Sequence, residues 1–325
     1  MAMSMREFDV VVIGAGVAGL NAATTAARHG LSTLLVDSLG AGGQIGTVDR
    51  IENFPGPSEG VAGYELGPML QIQADEAGVE LMLDTVERVA ADGDGFIVTA
   101  SEGEFHARAV IVAAGSVRRK LGVEGEEAFE GKGVSHCASC DGPILRGRQV
   151  CVVGGGDSAL DEALSLAAHV AKVVIVHRGA EPTARRSLVD KCQAEEAIGF
   201  LAHTEVEAIC GDVGVSHVRL RSAAGDVRDL PCHAVFVYVG LEPAAGFLGE
   251  LVRRDGDGRI AVDLGMNASR PGIFAAGDIR SQSVAHLAAS AGDGVTAAIS
   301  AARYLRLGVK GDSTAAGSQL QKDAI

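Results

Sequence analysis

The chain of 325 residues contains no tryptophan, and only 4% of its residues are aromatic. It also lacks a long basic run, and its formal net charge of −14 argues against a general nucleic-acid or anionic-membrane surface. No basic segment followed by a long apolar run begins the chain, so no export signal is predicted. The most apolar helical segment is interrupted by His169 and Lys172 and is too short to cross a bilayer. These absences predict a cytoplasmic protein that binds neither nucleic acid nor membrane.

Cysteine is scarce as well, with six residues in a long chain. Without an export signal, these cysteines are better interpreted as thiols in a reducing compartment than as a disulfide framework. Glycine is abundant, with 44 residues, so tight turns and close backbone approaches are expected. The length, and a composition of 47% hydrophobic and 22% charged residues, indicate a globular protein with two domains.

An internal repeat organises the chain. The stretch "FDVVVIGAGVAGLNAATTAARHGLSTLLVDS" in the first half is similar to "RQVCVVGGGDSALDEALSLAAHVAKVVIVHR" in the second. Each combines an apolar β-branched run, a glycine-rich turn, a helical segment rich in alanine and leucine, and a second apolar run. Gly14 and Gly154, and likewise Asp37 and His177, are 140 positions apart. The repeat therefore predicts two βαβ units.

Each glycine-rich turn fits the requirements of a dinucleotide site. In "GAGVAG", Gly14 permits a tight turn, Gly16 lets the backbone approach a pyrophosphate, and Gly19 lets the helix pack closely on the strand. The helix that follows offers N–H groups to the phosphates. A single turn of this kind is weak evidence, but two copies between strand and helix favour dinucleotide binding. The corresponding residues of the second unit are Gly154, Gly156, Asp157, Ser158 and Ala159.

The ends of the second strands distinguish the two units. Asp37 can accept hydrogen bonds from an adenosine ribose, which suits FAD or NAD and would repel a 2′-phosphate. The second unit instead has His177 and Arg178, with Arg185 beyond, and no carboxylate at the strand end. Because arginine pairs well with phosphate, this pattern favours NADPH over NADH. A solvated basic loop is the alternative interpretation.

A third segment returns to the first domain near the carboxyl end. The apolar run in "GIFAAGD" stops at Asp278, which we interpret as a contact to a sugar or ribityl chain. The predicted fold is α/β, with two Rossmann-like three-layer dinucleotide-binding domains, the second inserted in the first. The expected FAD domain comprises residues 1–118 and 247–312, the NAD(P)H domain comprises 119–246, and residues 313–325 form a flexible tail.

The stretch "VSHCASCDGPI" places Cys137 and Cys140 in a Cys-x-x-Cys spacing. A zinc site needs about four ligands, and no second Cys-x-x-Cys accompanies this one. A buried pair of small apolar residues is a second interpretation. A redox dithiol beside a flavin is the third, since the spacing brings the two sulfurs within disulfide reach.

These motifs resemble those of a known family, the low-molecular-weight thioredoxin reductases of the pyridine nucleotide–disulfide oxidoreductase superfamily. The resemblance runs from about residue 7 to residue 310 and rests on "GAGVAG", "GGQ", "ENFPG", "AAG", "CASCDG", "GGGDSALDEAL" and "FAAGD". It implies a homodimer that holds FAD without a covalent link. It also implies that electrons pass from NADPH through FAD to a Cys137–Cys140 disulfide, and then to thioredoxin or another small dithiol/disulfide protein.

The resemblance also implies roles for individual residues. Cys140 would lie nearer the flavin, Cys137 would attack the substrate, and Asp141 would exchange protons with a leaving thiol, unless Asp141 is only a turn carboxylate. The residues expected to contact FAD are Gly14, Gly16, Gly19, Asp37, Gly43, Gln44, Asn53, Val86, Ala114, Gly115, Gly277, Asp278, His286 and Leu287.

Three places depart from the family pattern. Gly179 replaces the second arginine of the usual "HRR", which weakens the preference for NADPH. Ala285 and His286 replace an Arg-Gln pair beside the flavin, and His286 is either a proton donor near the ring or an ordinary histidine. Pro143 and Ile144 replace a pair of aromatic residues that help to grip thioredoxin.

Two other functions remain open from the residues alone. One is an oxidase that passes electrons from a small-molecule dithiol through flavin to oxygen, although the intact "GGGDSA" argues against it because such an oxidase needs no nicotinamide site. The other is an FAD-binding redox sensor in which Cys137 and Cys140 act as a switch.

Overall fold

The computed structural model describes residues 5–48 and 50–307. The tail predicted for residues 313–325 lies outside the described residues. The chain divides into two compact units, the first formed by Met1–Ser116 with Pro243–Ile325 and the second by Val117–Glu242. No described helix is at once long enough and apolar enough to cross a membrane.

The strands of the described residues are, in chain order, β1 (Arg6–Ile13), β2 (Thr33–Asp37), β3 (Glu80–Leu83), β4 (Val86–Asp92), β5 (Gly95–Ala100), β6 (Gly103–Val112), β7 (Ser116–Arg118), β8 (Val134–Ser135), β9 (Gln149–Val153), β10 (Lys172–Val176), β11 (Ile198–Leu201), β12 (Thr204–Gly211), β13 (Val215–Ser222), β14 (Val227–Pro231), β15 (Val235–Val237), β16 (Leu241–Pro243) and β17 (Ile273–Ala275). The helices are α1 (Val17–Arg28), α2 (Gly63–Glu76), α3 (Ala138–Asp141), α4 (Asp157–Ala167), α5 (Arg186–Ala194) and α6 (Leu287–Leu307).

The first unit is built on a seven-stranded sheet. Its strand order is β3-β2-β1-β6-β5-β4, and β17 pairs with the second half of β6. The pairs of β1 with β2 and β6, of β2 with β3, and of β6 with β17 are parallel, whereas β4, β5 and β6 pair antiparallel. Ile13, Asp37, Val112 and Ala275 therefore all lie at the carboxyl edge of the parallel strands.

The apolar runs in this unit are buried on both faces of the sheet. Val10 and Val12 pack in a core with α1, α2 and α6, and Val11 packs in a second core on the other face, with Phe96 of β5. Helices α1 and α6 approach closely, since a Cβ at Gly294 would lie 2.1 Å from the carbonyl oxygen of Ala18. Burial on both faces explains why residues 10–13 of β1 are all β-branched instead of alternating between apolar and polar.

The second unit repeats this plan. Its five-stranded sheet has the order β11-β10-β9-β15-β8, and every pairing in it is parallel. Helices α3, α4 and α5 cover one face, and the antiparallel sheet β12-β13-β14 contributes to the core on the other. Cys151 lies fully buried in that second core, where burial raises the pKa of its thiol. The predicted α/β class, with two Rossmann-like units, is confirmed.

The chain passes between the two units twice. These connecting segments contain β7 and β16, which pair with each other as a two-stranded sheet. The backbone N–H of Arg119 also donates to the carbonyl oxygen of Gly240 at 3.0 Å. The entry and the exit of the inserted unit are therefore held together by main-chain hydrogen bonds.

Candidate functional site

The first glycine turn joins β1 to α1. Gly14 has a φ of +104°, a left-handed conformation that side chains rarely adopt. A Cβ at Gly19 would lie 1.7 Å from the carbonyl oxygen of Gly14, so only glycine lets α1 pack against the turn. A Cβ at Gly16 would meet no atom within 4 Å, which leaves open space over the start of α1. The turn fits the pyrophosphate of a dinucleotide.

The second glycine turn, between β9 and α4, has the same construction. Gly154 has a φ of +140°, and a Cβ there would lie 2.2 Å from the carbonyl oxygen of Tyr238. The space around a Cβ at Gly156 is again open. Ala159 is buried against the turn, Asp157 begins α4, and Ser158 follows it on the exposed side. This turn also fits a pyrophosphate.

Asp37, at the end of β2, organises the backbone around the first turn. One carboxylate oxygen accepts from the N–H of Ala15 at 2.6 Å, and the other accepts from the N–H groups of Leu39 and Gly40 at 2.7 and 2.8 Å. A carboxylate can accept about four hydrogen bonds, so acceptor capacity for a sugar hydroxyl is left. The position and chemistry of Asp37 fit the predicted ribose contact.

Two predicted residues lie in the segment after β2. Gly43 is adjacent to the first turn, since a Cβ there would lie 3.2 Å from the Cα of Gly16. The Gln44 side-chain amide donates to the carbonyl oxygen of Ser116 at 2.9 Å. Gly115, just before Ser116, has a φ of +62°. The structure therefore brings the "GGQ" and "AAG" motifs to the same region of the first unit.

The ends of β6 and β17 supply further predicted residues. The Cα of Ala114 lies 2.8 Å from where a Cβ on Gly14 would stand. Gly277 packs against α1, since its Cβ would lie 3.0 Å from the Cβ of Ala18. Asp278 is half-buried and accepts from the Ser283 hydroxyl at 3.2 Å.

Val86 and Leu287 are not brought together. Val86 begins β4 and packs against the core on one face of the sheet, whereas Leu287 begins α6 and packs against the core on the other face. The two expected FAD contacts therefore belong to opposite sides of the first unit.

His286 caps α6. Its Nδ1 accepts from the backbone N–H of Ala288 at 3.3 Å, and its carbonyl oxygen accepts from the N–H of Ser290 at 2.9 Å. The Nε2 of His286 lies 3.4 Å from the side-chain nitrogen of Asn53, so Asn53 and His286 are brought together. His286 thus has a structural role that sequence analysis did not identify.

A buried ion pair fixes the turn that contains Gly277 and Asp278. The Arg280 guanidinium forms two hydrogen bonds with the Asp293 carboxylate, at 2.6 and 2.9 Å, and Asp293 also accepts from the N–H of Gly277 at 3.2 Å. Asp293 is 7% exposed. The pair connects the turn after β17 to the middle of α6. Sequence analysis missed both residues, and the only available signal was a lone aspartate within a helix of small residues.

The predicted basic residues of the second unit lie beyond β10. His177 is buried, its Nδ1 has no hydrogen-bond partner among the described residues, and burial lowers the pKa of its ring. Arg178 is exposed. The Arg185 guanidinium pairs with the Asp157 carboxylate at 2.7 Å, and the Arg185 backbone N–H donates to the same carboxylate. Arg185 is therefore held at the start of α4, beside the second glycine turn.

Cys137 and Cys140 form a disulfide, with an S–S distance of 2.07 Å. Cys137 is the residue before α3, and its sulfur accepts from the N–H of Cys140 at 3.3 Å. The Cys137 N–H donates to the Ser135 hydroxyl, and its carbonyl oxygen accepts from the N–H of Asp141. Cys140 is exposed and Cys137 is half-buried, so the pair is not a buried apolar pair. The arrangement can accept an electron pair by opening the S–S bond.

A half-buried carboxylate contacts the dithiol helix from α4. Glu162 accepts a hydrogen bond from the backbone N–H of Ala138, the first residue of α3, at 3.0 Å. Sequence analysis did not identify this residue. The "DEAL" segment predicts an amphipathic helix but does not indicate which neighbour the glutamate meets.

Comparisons with known proteins agree on one family. The profile described as pyridine nucleotide-disulphide oxidoreductase matches residues 8–302. A thioredoxin reductase of Treponema pallidum is 37% identical over 300 residues, which is 92% of this chain and 97% of that protein. A bifunctional thioredoxin reductase/thioredoxin of Mycobacterium leprae is 38% identical over 91% of this chain and 66% of its own length. The crystal structure of Lactococcus lactis thioredoxin reductase superimposes with a TM-score of 0.86, and its sequence is 35% identical to this one. The match covers 92% of this chain and 99% of the Lactococcus chain.

Proposed function

The chain belongs to the pyridine nucleotide-disulphide oxidoreductase family, and we propose that it reduces thioredoxin or a similar small disulfide protein with electrons from NADPH. It is an FAD-dependent disulfide oxidoreductase of the thioredoxin reductase type. The observation that carries the proposal is the Cys137–Cys140 disulfide, exposed at Cys140, in a unit that also contains a second dinucleotide turn.

We assign FAD to the first unit and NADPH to the second. The open turn at Gly16 and the carboxylate of Asp37 support the first assignment. The open turn at Gly156, with Arg178 and Arg185 beyond the end of β10, supports the second. A bound FAD would supply two-electron transfer between a nicotinamide and a disulfide.

The protein's own sulfurs then carry out thiol–disulfide exchange. Reduction breaks the Cys137–Cys140 bond, with uptake of two electrons and two protons. A thiolate of the pair attacks the substrate disulfide, and the second sulfur displaces the substrate from the mixed disulfide, so that the S–S bond re-forms and the substrate leaves as a dithiol. We assign proton exchange in these steps to Asp141, whose backbone is anchored to Cys137.

The two sulfurs have different roles in this exchange. Following the family resemblance, we assign the attack on the substrate disulfide to Cys137 and the resolving step to Cys140.

A steady-state assay tests the proposed function. Purified FAD-loaded enzyme should oxidise NADPH only when oxidised thioredoxin is present, with a higher kcat/KM than with NADH. Replacing Arg178 with alanine should lower that ratio, because its guanidinium no longer pairs with the 2′-phosphate. Oxygen consumption driven by a small dithiol without any nicotinamide would instead support the oxidase, and failure to turn over with any donor and acceptor would support the redox sensor.

A substitution at Ile144 tests whether thioredoxin docks beside the dithiol. Its side chain is 81% exposed, four residues beyond Cys140. Replacing Ile144 with aspartate should raise the KM for thioredoxin about tenfold, the equivalent of about 1.4 kcal/mol of apolar contact. The rate with a small aromatic disulfide should not change.

The matched control for that variant is Val213→Asp, because Val213 is also highly exposed in the same unit but is remote in sequence from the dithiol. An equal rise in KM for both variants would indicate a general charge effect and contradict docking at Ile144.

We also propose a homodimer in the cytoplasm. In support of a dimer, the first unit exposes large apolar side chains at Leu39, Tyr64, Met69, Ile72 and Leu83. Light scattering of the purified protein should give twice the 33.1 kDa chain mass, and a mass of one chain would contradict this.

In support of a reducing compartment, the cysteines outside the disulfide are free thiols. Cell fractionation tests the location.

A further inference from the structure

Glu162 lies against the short helix that carries the dithiol. Its carboxylate on α4 accepts from the Ala138 N–H at 3.0 Å, and Ala138 follows Cys137 in the chain. Two residues further along the same short helix, the N–H of Cys140 donates to the sulfur of Cys137. A carboxylate and a sulfur therefore accept hydrogen bonds from two N–H groups of one helical turn.

The surroundings of Glu162 raise the pKa of its carboxyl group. Burial raises the pKa of this carboxyl, and the charge of Asp161, its neighbour on α4, raises it further. The hydrogen bond from Ala138, the Tyr238 hydroxyl and the guanidinium of Arg118 act in the opposite direction. Together these groups leave Glu162 closer to binding a proton than an exposed glutamate is.

Tyr238 completes the cluster. Its hydroxyl is buried and forms no hydrogen bond of ordinary geometry with any described residue. It is nevertheless close enough to Glu162 to favour the charged form of that carboxylate. Burial and the charge of Glu162 raise the pKa of the phenol, which therefore keeps its proton. Asp161, Arg118 and Tyr238 are thus the charged and titratable groups that act on Glu162.

We propose that Glu162 is a proton-binding positioning residue of the dithiol, whose charge is coupled to the redox state of the Cys137–Cys140 pair. The inference rests on the proposed reductase function and concerns the same site. A thiolate that forms on the pair places a second negative charge beside the Glu162 carboxylate, and like charges at close range favour protonation of one of them. The disulfide is neutral and has no such effect.

The proton balance of the half-reaction follows. The disulfide takes two electrons, supplied by the proposed reductase activity, and two protons. The S–S bond breaks, one sulfur keeps a proton, and the second proton is shared between the other sulfur and Glu162. In the form with a thiolate, the products are one thiol, one thiolate and a neutral Glu162 carboxyl.

Glu162→Gln separates charge from position, because the amide oxygen can still accept from Ala138 while the charge is removed. The FAD-loaded protein is reduced with dithiothreitol, transferred anaerobically to a range of pH values, and alkylated with iodoacetamide, and mass spectrometry identifies modified Cys137 and Cys140. At a pH below the pKa of the thiol, we expect the variant to be alkylated about tenfold faster, which corresponds to one unit in the thiol pKa. The result requires neither NADPH nor thioredoxin, so its failure is distinct from failure of the proposed function.

The control is Glu196→Gln, which removes one exposed negative charge from the same unit and should leave the pH profile of alkylation unchanged. Superimposable profiles for wild type and Glu162→Gln would overturn the proposal and leave Glu162 a purely structural residue.

Infrared difference spectroscopy provides a readout that folding alone would not change. Reduction of wild-type protein should produce a carbonyl band from a newly protonated carboxyl group, and this band should be missing from Glu162→Gln. A band of equal size in both proteins would assign the proton to another carboxyl, such as Asp141, and contradict the proposal.

Discussion

Serine in place of either Cys137 or Cys140 should lower kcat for thioredoxin reduction by more than about a thousandfold, because a covalent exchange that needs two sulfurs cannot be completed with one. FAD binding and reduction of the flavin by NADPH should persist, since both glycine turns are unchanged. The matched control is Cys210→Ser, which removes a partly exposed thiol from the same unit and should leave kcat unchanged. Turnover within about tenfold of wild type in either serine variant would contradict the mechanism.

The same variants identify the attacking sulfur. Cys140→Ser should form a stable mixed disulfide with an activated thioredoxin that has a single active-site cysteine, because Cys137 remains available and no second sulfur releases the partner. Cys137→Ser should form much less of this product. The opposite result would assign the attack to Cys140.

Asp293→Ala should lower the free energy of unfolding by about 3–5 kcal/mol, the range for breaking a buried pair and leaving its partner charge unpaired. The guanidinium of Arg280 would lose both of its bonds to Asp293, and the N–H of Gly277 would lose its acceptor. Because this turn leads to Asp278, we also expect weaker retention of FAD. Chemical denaturation and the flavin content of the purified protein measure the two effects.

An exposed ion pair of the same unit is the comparison. The Arg6–Glu80 pair has a short contact of 2.5 Å, but both side chains are about half exposed, so Glu80→Ala should cost no more than about 1 kcal/mol. If the two alanine variants were equally stable, the burial of the Arg280–Asp293 pair would have no energetic consequence, and the role given to it here would be wrong.

The features predictable from sequence are those that the local chain determines. The turns at Gly14 and Gly154 each join a strand to a helix within a few residues, and both have the left-handed backbone that their pattern implies. Asp37 is the last residue of β2, and the apolar run that precedes it makes the end of the strand visible in the sequence. The spacing of Cys137 and Cys140 already placed two sulfurs within reach of each other. In each case the residues that matter are neighbours in sequence or in one βαβ unit.

The features that sequence analysis missed depend on which elements meet in space. Glu162 contacts Ala138 across 24 positions, and the contact exists because α3 and α4 pack on the same face of the sheet. Asp293 contacts Arg280 because α6 runs beside the turn after β17. No periodicity or motif encodes either partner. Asn53, Val86 and Leu287 came from family resemblance alone, and their roles toward FAD remain predictions.

His286 shows a third kind of limit. Ala285 and His286 stand where the family pattern has an Arg-Gln pair beside the flavin, so the resemblance predicts a role in flavin chemistry. The hydrogen bond from Ala288 to its ring shows that the residue caps a helix, a role that polar residues before a helix commonly have. The side-chain nitrogen of Asn53 lies 3.4 Å from Nε2 of the same ring, a contact across more than 200 positions that no local pattern predicts.

The proposed reaction depends most directly on electron exchange between the Cys137–Cys140 pair and a bound flavin. An anaerobic reductive titration with dithionite, followed by flavin absorbance, counts the electrons that each subunit takes up. The account predicts two electron pairs per wild-type subunit, one for FAD and one for the disulfide, and a single pair for the variant with both cysteines replaced by serine. Uptake of a single pair by the wild type, or a purified protein that is colourless and fails to bind FAD, would contradict it.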